Sequence, residues 1–311
     1  MSFTVQIKEE ISNSERTKSE RLAGLSGYIR NNAIINNNKI TMTTENKLIL
    51  DRVVEGIKDF YNTNSKIDVI KNLNFSKKEL YQITIKDNLN EILKDLCILD
   101  ENGKYIETVP NYIVGGNEEI RGYLRGVFAA TGSINDPKTS RYHMELLIKE
   151  PEEAVFVQKL LNIFDLNAKI LNRDKGYMIY IKDSEKISDF LKILGANKAV
   201  MYYEDVRVYR DKKNKTNRLN NCEQANMDKV IQTANEQLED IEIIEDNDGL
   251  VLLDDKVREV LEYRKKYPEA SLKELAEIIS IETNKPITKS GLNHRLRKIK
   301  ELAEKFKNMN K

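Results

Sequence analysis

Apolar residues alternate in two stretches of the chain that begin 96 positions apart, at residues 81 and 177. In YQITIKDNLNEILKDLCIL (81–99) the alternating positions are Ile83 and Ile85; in YMIYIKDSEKISDFLKILG (177–195) they are Ile179 and Ile181. Alternation with period two predicts a half-buried strand. Each stretch goes on with Ile-Lys-Asp, where Asp87 or Asp183, with Asn88 or Ser184, can cap a helix. Leu and Ile at three- and four-residue spacing then predict an amphipathic helix. The segments upstream, 39–70 and 143–171, both read strand, turn, helix, strand. Each copy opens with a helix rich in small residues, ERLAGLSGYIRNNA (20–33) and IRGYLRGVFAATGSI (120–134), with Leu22 and Leu124 at matching places. Two such copies predict an α+β domain with pseudo-two-fold symmetry.

Glycine inside a helix costs roughly 1 kcal/mol against alanine. It is tolerated where two backbones must come close. Ala23, Gly24 and Gly27 in one opening helix, and Gly122, Gly126 and Ala130 in the other, give small residues at three- and four-residue spacing. The two helices are therefore expected to pack on each other at the symmetry axis. The competing reading makes Gly27 and Gly132 helix C-caps.

A different pattern begins near residue 254. A helix over 254–266 carries Val257, Val260, Leu261 and Arg264 on one face, and Pro268 ends it. Ser271 and Glu274 form a capping box for a second helix whose inner face is Leu272, Leu275, Ile278 and Ile279. After the turn ETNKP, Thr288 or Ser290 caps a third helix with the stripe Leu292, Leu296, Ile299, Leu302 and Phe306. Its other faces carry Lys289, Ser290, Asn293, His294, Arg295, Arg297, Lys298 and Lys300. A short helix, a turn and a basic helix make a helix-turn-helix, whose last helix enters the major groove. Asn can read adenine, Arg can read guanine, and Lys or Ser can hold phosphates. His294 is read either as a DNA contact or as a packing residue. The bland alternative is a Lys-rich helical hairpin.

Composition narrows the picture. The chain has 311 residues, 51 Lys and Arg against 50 Asp and Glu, and a net charge of +1. With 40% hydrophobic residues it can build real cores. Its two Cys, Cys97 and Cys222, exclude a disulfide framework and fit a reducing cytoplasm. Two His and two distant Cys argue against a zinc site. There is no run of roughly 18 apolar residues to span a bilayer, and MSFTVQIKEEISNSERTKSE lacks a signal-peptide core. The near-neutral total hides blocks. Residues 207–218 hold six basic residues and one acid; 239–255 hold eight acids and no Lys or Arg; 287–311 hold eight Lys or Arg and two Glu. The first block is either a phosphate contact or an exposed connector. The second could lie on the basic helix as an internal mimic of DNA. Residues 217–241 read as a long helix. Cys97 reads as a core residue on an apolar helix face, Cys222 as a packing residue rather than a nucleophile, and His143, at the start of a strand, as a packing or capping residue.

LAGLSGYIR (22–30) and LRGVFAATG (124–132) resemble the motif of the LAGLIDADG homing endonucleases at the spacing of a single-chain, two-repeat member. The resemblance implies an acid before the last glycine of each motif, and the two acids together hold a divalent metal that activates water. Matching letter by letter, those positions are Ile29 and Thr131, with Arg30 in place of the first terminal glycine. Neither side chain is a carboxylate, so the fold is expected to be kept and the metal and the cutting chemistry lost. The alternative is an active metal-dependent endonuclease.

Further motifs widen the resemblance: SF-x-V at 2–5, RLAGL at 21–25, RGVFAATGSINDP at 125–137, YHMEL at 142–146, NR-x₂-NC-x₂-AN at 217–226 and ITKSGLNHRLRK at 287–298. Together they are similar to the WhiA family of bacterial transcription regulators, over nearly the whole chain. That resemblance implies a degenerate LAGLIDADG-like domain followed by an all-α helix-turn-helix domain. It implies regulation tied to sporulation, or to cell division and chromosome segregation. It implies double-stranded DNA as the partner, and in sporulating actinobacteria a second, iron–sulfur regulator. No catalytic residue, cofactor, metal, membrane or small-molecule substrate is expected. The expected place is the cytoplasm, at the nucleoid. The expected division is a LAGLIDADG-like domain over 1–205 (repeats about 1–105 and 106–205), a helical linker over 206–249, and the helix-turn-helix over 250–311. A protein–protein adaptor is the remaining competitor.

Overall fold

A computed structural model describes residues 2–36, 38–71, 79–107, 109–139 and 141–309. The chain divides into two compact units, Met1–Arg210 and Asp211–Lys311. Among the described residues no helix is long and apolar enough to cross a membrane.

The first unit opens with α1 (Phe3–Asn13) and α2 (Lys18–Asn32). It continues through β1 (Ile34–Asn36), β2 (Lys39–Thr44), α3 (Lys47–Tyr61), β3 (Lys66–Lys71), β4 (Glu79–Ile85) and α4 (Leu89–Asp95). The short α5 (Asn111–Val114) leads into the second copy. That copy comprises α6 (Asn117–Thr131), β5 (Gly132–Ile134), β6 (Met144–Ile148), α7 (Pro151–Ile163), β7 (Lys169–Arg173), β8 (Gly176–Ile181) and α8 (Ser184–Leu194). Both sheets are antiparallel and share one topology, β1-β2-β4-β3 and β5-β6-β8-β7. The alternating residues of the sequence sit in the central strands: Ile83 and Ile85 in β4, Ile179 and Ile181 in β8, all buried. Each copy has its own core, Ile40, Ile57, Ile83 and Ile92 in the first, Leu146, Leu161, Ile179 and Phe190 in the second.

The two copies meet where α2 lies against α6, and glycine makes the contact possible. A Cβ on Gly27 would stand 2.5 Å from the Tyr123 carbonyl oxygen, and one on Gly126 would overlap that of Gly24. A Cβ on Gly122 would stand 2.5 Å from the carbonyl oxygen of Glu20. Gly27 is thus a packing residue inside α2. Gly132 does follow α6 as its cap residue, but in extended backbone (φ −78°) rather than the left-handed form.

Three local expectations are corrected. Asp183 caps α8, accepting from the amides of Glu185 and Lys186. In the first copy Asn88 precedes α4 in the left-handed region and makes no side-chain cap; its amide donates instead to Thr63 Oγ1 (3.0 Å). Cys97 is not on a helix face but follows α4 at φ +52°, where it still packs half-buried against a core, and Cys222 is exposed rather than packed. His143 lies just before β6, with Nε2 3.1 Å from Glu145 Oε2 and its ring over that of Tyr180.

Helix α1 has no counterpart in the expectations. Phe3, Ile7 and Ile11 repeat every four residues, and they enter the core of the second copy rather than the first. The Thr4 hydroxyl donates to the Ile134 carbonyl, and the Ile134 amide donates back to it, both at 2.9 Å.

Helix α9 (Asn197–Asp246) begins in the first unit, and the part beyond Arg210 belongs to the second. It contains both the basic block and the long helix read over 217–241. Two cations of the block are engaged within the first unit: Arg207 with Glu204 (2.7 Å) and Glu185 (3.0 Å), and Arg210 with the carbonyls of Pro137 and Thr139 (both 2.6 Å). The second unit is completed by α10 (Asp255–Lys266), α11 (Leu272–Thr283) and α12 (Lys289–Met309).

Gly126→Ala forces α2 and α6 apart and is expected to destabilise the first unit by about 1–3 kcal/mol, despite the roughly 1 kcal/mol that Ala gains over Gly in a helix. Gly24→Ala, whose Cβ meets only the Gly122 carbonyl at 3.2 Å, should cost clearly less. Urea unfolding of the two variants checks this; equal losses would contradict the packing account.

Candidate nucleic-acid interface

The second unit is built on its apolar stripes. Asp254 caps α10 by accepting from the Val257 amide (2.9 Å). Ser271 and Glu274 form the expected capping box on α11. Of the two candidate caps for α12, Thr288 is the one used: its hydroxyl accepts from the Gly291 amide (3.1 Å), and Ser290 lies inside the helix. Val257, Val260, Leu261, Leu275, Ile279, Leu292, Leu296 and Ile299 are buried together. Arg264 continues the buried face of α10 at 1% exposure. Its guanidinium reaches past the helix end and donates to the Ala270 carbonyl (2.7 Å), tying down the turn into α11. Burial lowers its pKa. Ser280 Oγ accepts from the Ile287 amide (2.9 Å), which fixes the turn between α11 and α12.

With Leu292, Leu296, Ile299 and Ala303 buried, the opposite side of α12 is left to solvent. Lys289, Ser290, Asn293, His294, Arg297, Lys298 and Lys300 are all exposed, and Arg295 is half-buried. At 100° per residue, Lys289, Lys300, Asn293, Arg297, Ser290 and His294 share one contiguous face. His294 is therefore not a core residue. Acids appear on α12 only further along, at Glu301 and Glu304.

The eight expected side chains are not equivalent. Arg295, 25% exposed, lies against α10, with Nη1 3.5 Å from the Lys256 carbonyl and 4.0 Å from Glu259. Lys298 reaches Asp254 at 3.3 Å. These two turn away from the open face. Arg297, 77% exposed, is within 3.3 Å of Glu301 on its own helix, a contact worth little in water. Among the described residues no carboxylate lies within 4 Å of Lys289 or Lys300. The acidic block engages the basic helix only at Lys298 and Lys307, and so leaves the open face uncovered, unlike a full internal mimic of DNA. Asp240 pairs with Lys307 (2.9 Å), Glu245 with Lys265 (2.7 Å) and Asp254 with Lys298, all away from that face. The Asp254 carboxyl is held below its usual pKa, first by the Val257 amide and then by Lys298.

In the first unit the helix pair corrects the expected pairing of Ile29 with Thr131. The contacts of Gly27 with Tyr123 and of Gly126 with Gly24 map onto each other by a shift of 99 residues (126 − 27), not the 102 of the letter match. The helix ends agree: Ala33 follows α2 as Gly132 follows α6. Asn32, not Ile29, is then the counterpart of Thr131, and Ala33, not Arg30, stands at the terminal glycine. Ile29 corresponds to Phe128, and both are fully buried. The Asn32 amide is bound to the backbone of Thr43 (3.0 and 3.1 Å), and the Thr131 hydroxyl donates to the Val127 carbonyl (3.2 Å). Two neutral side chains, each already engaged, do not fit a divalent cation. Among the described residues no cluster of three or more His, Cys, Asp or Glu is arranged to hold a metal.

Beside these positions is a buried ion pair. Arg30 and Glu153 are 0% and 1% exposed at 3.0 Å. Arg30 also donates to the carbonyls of Cys97 (2.9 Å) and Ile106 (2.6 Å), and Glu153 accepts from the Tyr123 hydroxyl (2.5 Å). Burial alone would lower the Arg30 pKa; Tyr123, Glu153 and Tyr105 outweigh it and hold it raised. The pair ties the first copy to α7 of the second.

Family models match three spans: the WhiA N-terminal LAGLIDADG-like domain over 18–99, the WhiA LAGLIDADG-like domain over 120–213, and the WhiA C-terminal HTH domain over 216–303. Similar proteins include a probable cell division protein WhiA of Enterococcus faecalis, 41% identical over 99% of both chains. Another of the same name, from Pediococcus pentosaceus, is 39% identical over 99% of this chain and all of that one. The crystal structure of full-length DUF199/WhiA from Thermatoga maritima superimposes with a TM-score of 0.60 at 24% identity, over 98% of this chain and 99% of that one.

Removing one member of the buried pair leaves the other charge without its partner. Arg30→Met is expected to destabilise the first unit by about 3–5 kcal/mol. Thermal unfolding measures it; a loss below about 1 kcal/mol, the scale of an exposed pair, would contradict the burial.

Proposed function

The chain belongs to the WhiA family, and on that footing we propose that it is a sequence-specific DNA-binding transcription regulator without nuclease activity. The observation that carries this reading is the open face of α12, where Lys289, Ser290, Asn293, His294, Arg297 and Lys300 project together from a helix-turn-helix. Lys289, Ser290 and Lys300 are assigned to phosphates, Asn293 and Arg297 to base edges, and His294 to either. Arg295 and Lys298 act at the margin, since each is held by α10 or its cap. Counterion release at the phosphates supplies most of the affinity and makes it steeply salt-dependent.

The absence of cutting follows from the residues at the two helix ends. An endonuclease of this fold needs paired anions to hold its metal, and Asn32 and Thr131 offer none. The proposed biological setting is cell division and chromosome segregation, which the names carried by the relatives favour over sporulation. The proposed place of action is the nucleoid, in the cytoplasm.

Arg297→Ala and Asn293→Ala should each weaken binding to a cognate duplex by about 1–3 kcal/mol and relax specificity at one position. Arg295→Ala should act more through stability than through DNA contact. Gel-shift titrations across a salt series give the comparison, and unchanged affinity in both of the first two variants rejects the assignment. No Mg²⁺-dependent cleavage of duplex DNA is expected; a clean double-strand cut would overturn the second half of the proposal.

A further inference from the structure

The first unit contains a cavity of about 420 Å³ between α1, α2, α3 and α6. That is within the usual range for a small-molecule site. Four guanidinium groups line it, Arg16 between α1 and α2, Arg21 on α2, Arg52 on α3 and Arg125 on α6, against two carboxylates, Glu15 and Glu20. Most have partners. Arg125 pairs with Glu20 at 2.7 Å, with both side chains nearly buried; Arg21 pairs with Asp59 (2.5 Å) and Arg52 with Glu55 (2.9 Å). Arg16 is different. It donates to the Ile11 carbonyl and to Ser14 Oγ, and among the described residues no carboxylate lies within 4 Å of it. Burial and the nearby Arg125, with a smaller push from Arg52, bring its pKa down to about 10, against the pull of Glu20. A guanidinium crowded by its own kind inside a cavity lacks an anion. One wall of the lining is apolar, with Leu25, Ile49, Val53 and Ala129 beside Gly24 and Gly126; Ser12, Ser14 and Tyr28 add hydroxyls.

We propose that this cavity binds a nucleoside phosphate, with phosphate oxygens on Arg16, Arg52 and Arg125 and the planar base against Leu25, Ile49 and Val53. Arginine suits the task because its planar fork can hold two phosphate oxygens at once. The apolar wall distinguishes a nucleotide from a bare anion, and the volume accommodates a base, a sugar and a short phosphate chain. The site uses neither α12 nor the ends of α2 and α6, so it stands apart from the reading of DNA.

Isothermal titration of the full chain, without DNA, tests the proposal with ATP, ADP, GTP, adenosine and inorganic phosphate as probes. At least one of the nucleotides should bind, adenosine should not, and inorganic phosphate should bind more weakly than that nucleotide. Arg16→Gln and Arg52→Gln should each weaken binding by about tenfold, the scale of one lost charge-assisted contact. Gly56→Leu provides a second route. Gly56 is buried in α3 at the cavity wall, and a Cβ there meets only Leu25 methyls at 3.7 Å or more. The longer side chain should fill the cavity and abolish binding while the urea unfolding transition is kept. The proposal is overturned if none of the nucleotides binds, if inorganic phosphate binds as tightly as they do, or if affinity survives both Arg16→Gln and Gly56→Leu.

Discussion

Backbone contact between α2 and α6 governs the first unit. Because Gly24, Gly27, Gly122 and Gly126 lack side chains, the carbonyls of one helix come to rest on the Cα atoms of the other. Dispersion and shape then act over two backbones rather than over side-chain tips, which leaves little freedom in relative rotation or shift. The pseudo-two-fold axis follows from this contact. So does the position of each sheet, since β1 and β5 leave directly from the ends of the paired helices. The same register makes Asn32 and Thr131, both neutral, counterparts at the ends of the two helices.

Charge is handled differently in the two units. Near the ends of the paired helices, Arg30, Glu153 and Tyr123 satisfy one another in the interior. Such a pair adds little net stability over apolar residues, but it penalises any arrangement that separates its members. In the second unit the cations of α12 face water at Lys289, Arg297 and Lys300, while Lys298, Lys307 and Lys265 are matched by Asp254, Asp240 and Glu245. The acids neutralise the flanks and leave one face positive from Lys289 to Lys300, ahead of Glu301 and Glu304. This is how a chain with net charge +1 can still present a local field suited to a polyanion.

Much of this was legible in the sequence, because periodicity reports burial directly. The strands around Ile83 and Ile179, the capping box at Ser271, the stripe from Leu292 to Phe306 and the glycine face all carry local signals. The failures have physical causes. Ile29 was matched to Thr131 by letters, whereas the helix caps and glycine contacts set a register three residues away. Asn88 and Cys97 adopt left-handed backbone that no local motif announces. Arg295 has the chemistry of a base reader, but its direction is set by packing on α10. Phe3, Ile7 and Ile11 did offer a four-residue period, yet their destination in the second core is a tertiary fact. The arginines of the cavity come from separate elements and share no linear pattern.

The account rests on the open face of α12 being the surface that meets DNA. Photo-crosslinking tests it most directly, with a benzoylphenylalanine placed at Glu301, exposed beside Arg297 and assigned no DNA contact, or, for comparison, at Leu171 on the exposed part of β7. The account predicts that the probe at 301 crosslinks to a cognate duplex and is competed by unlabelled duplex. Crosslinking from 171 alone, with none from 301, would contradict it.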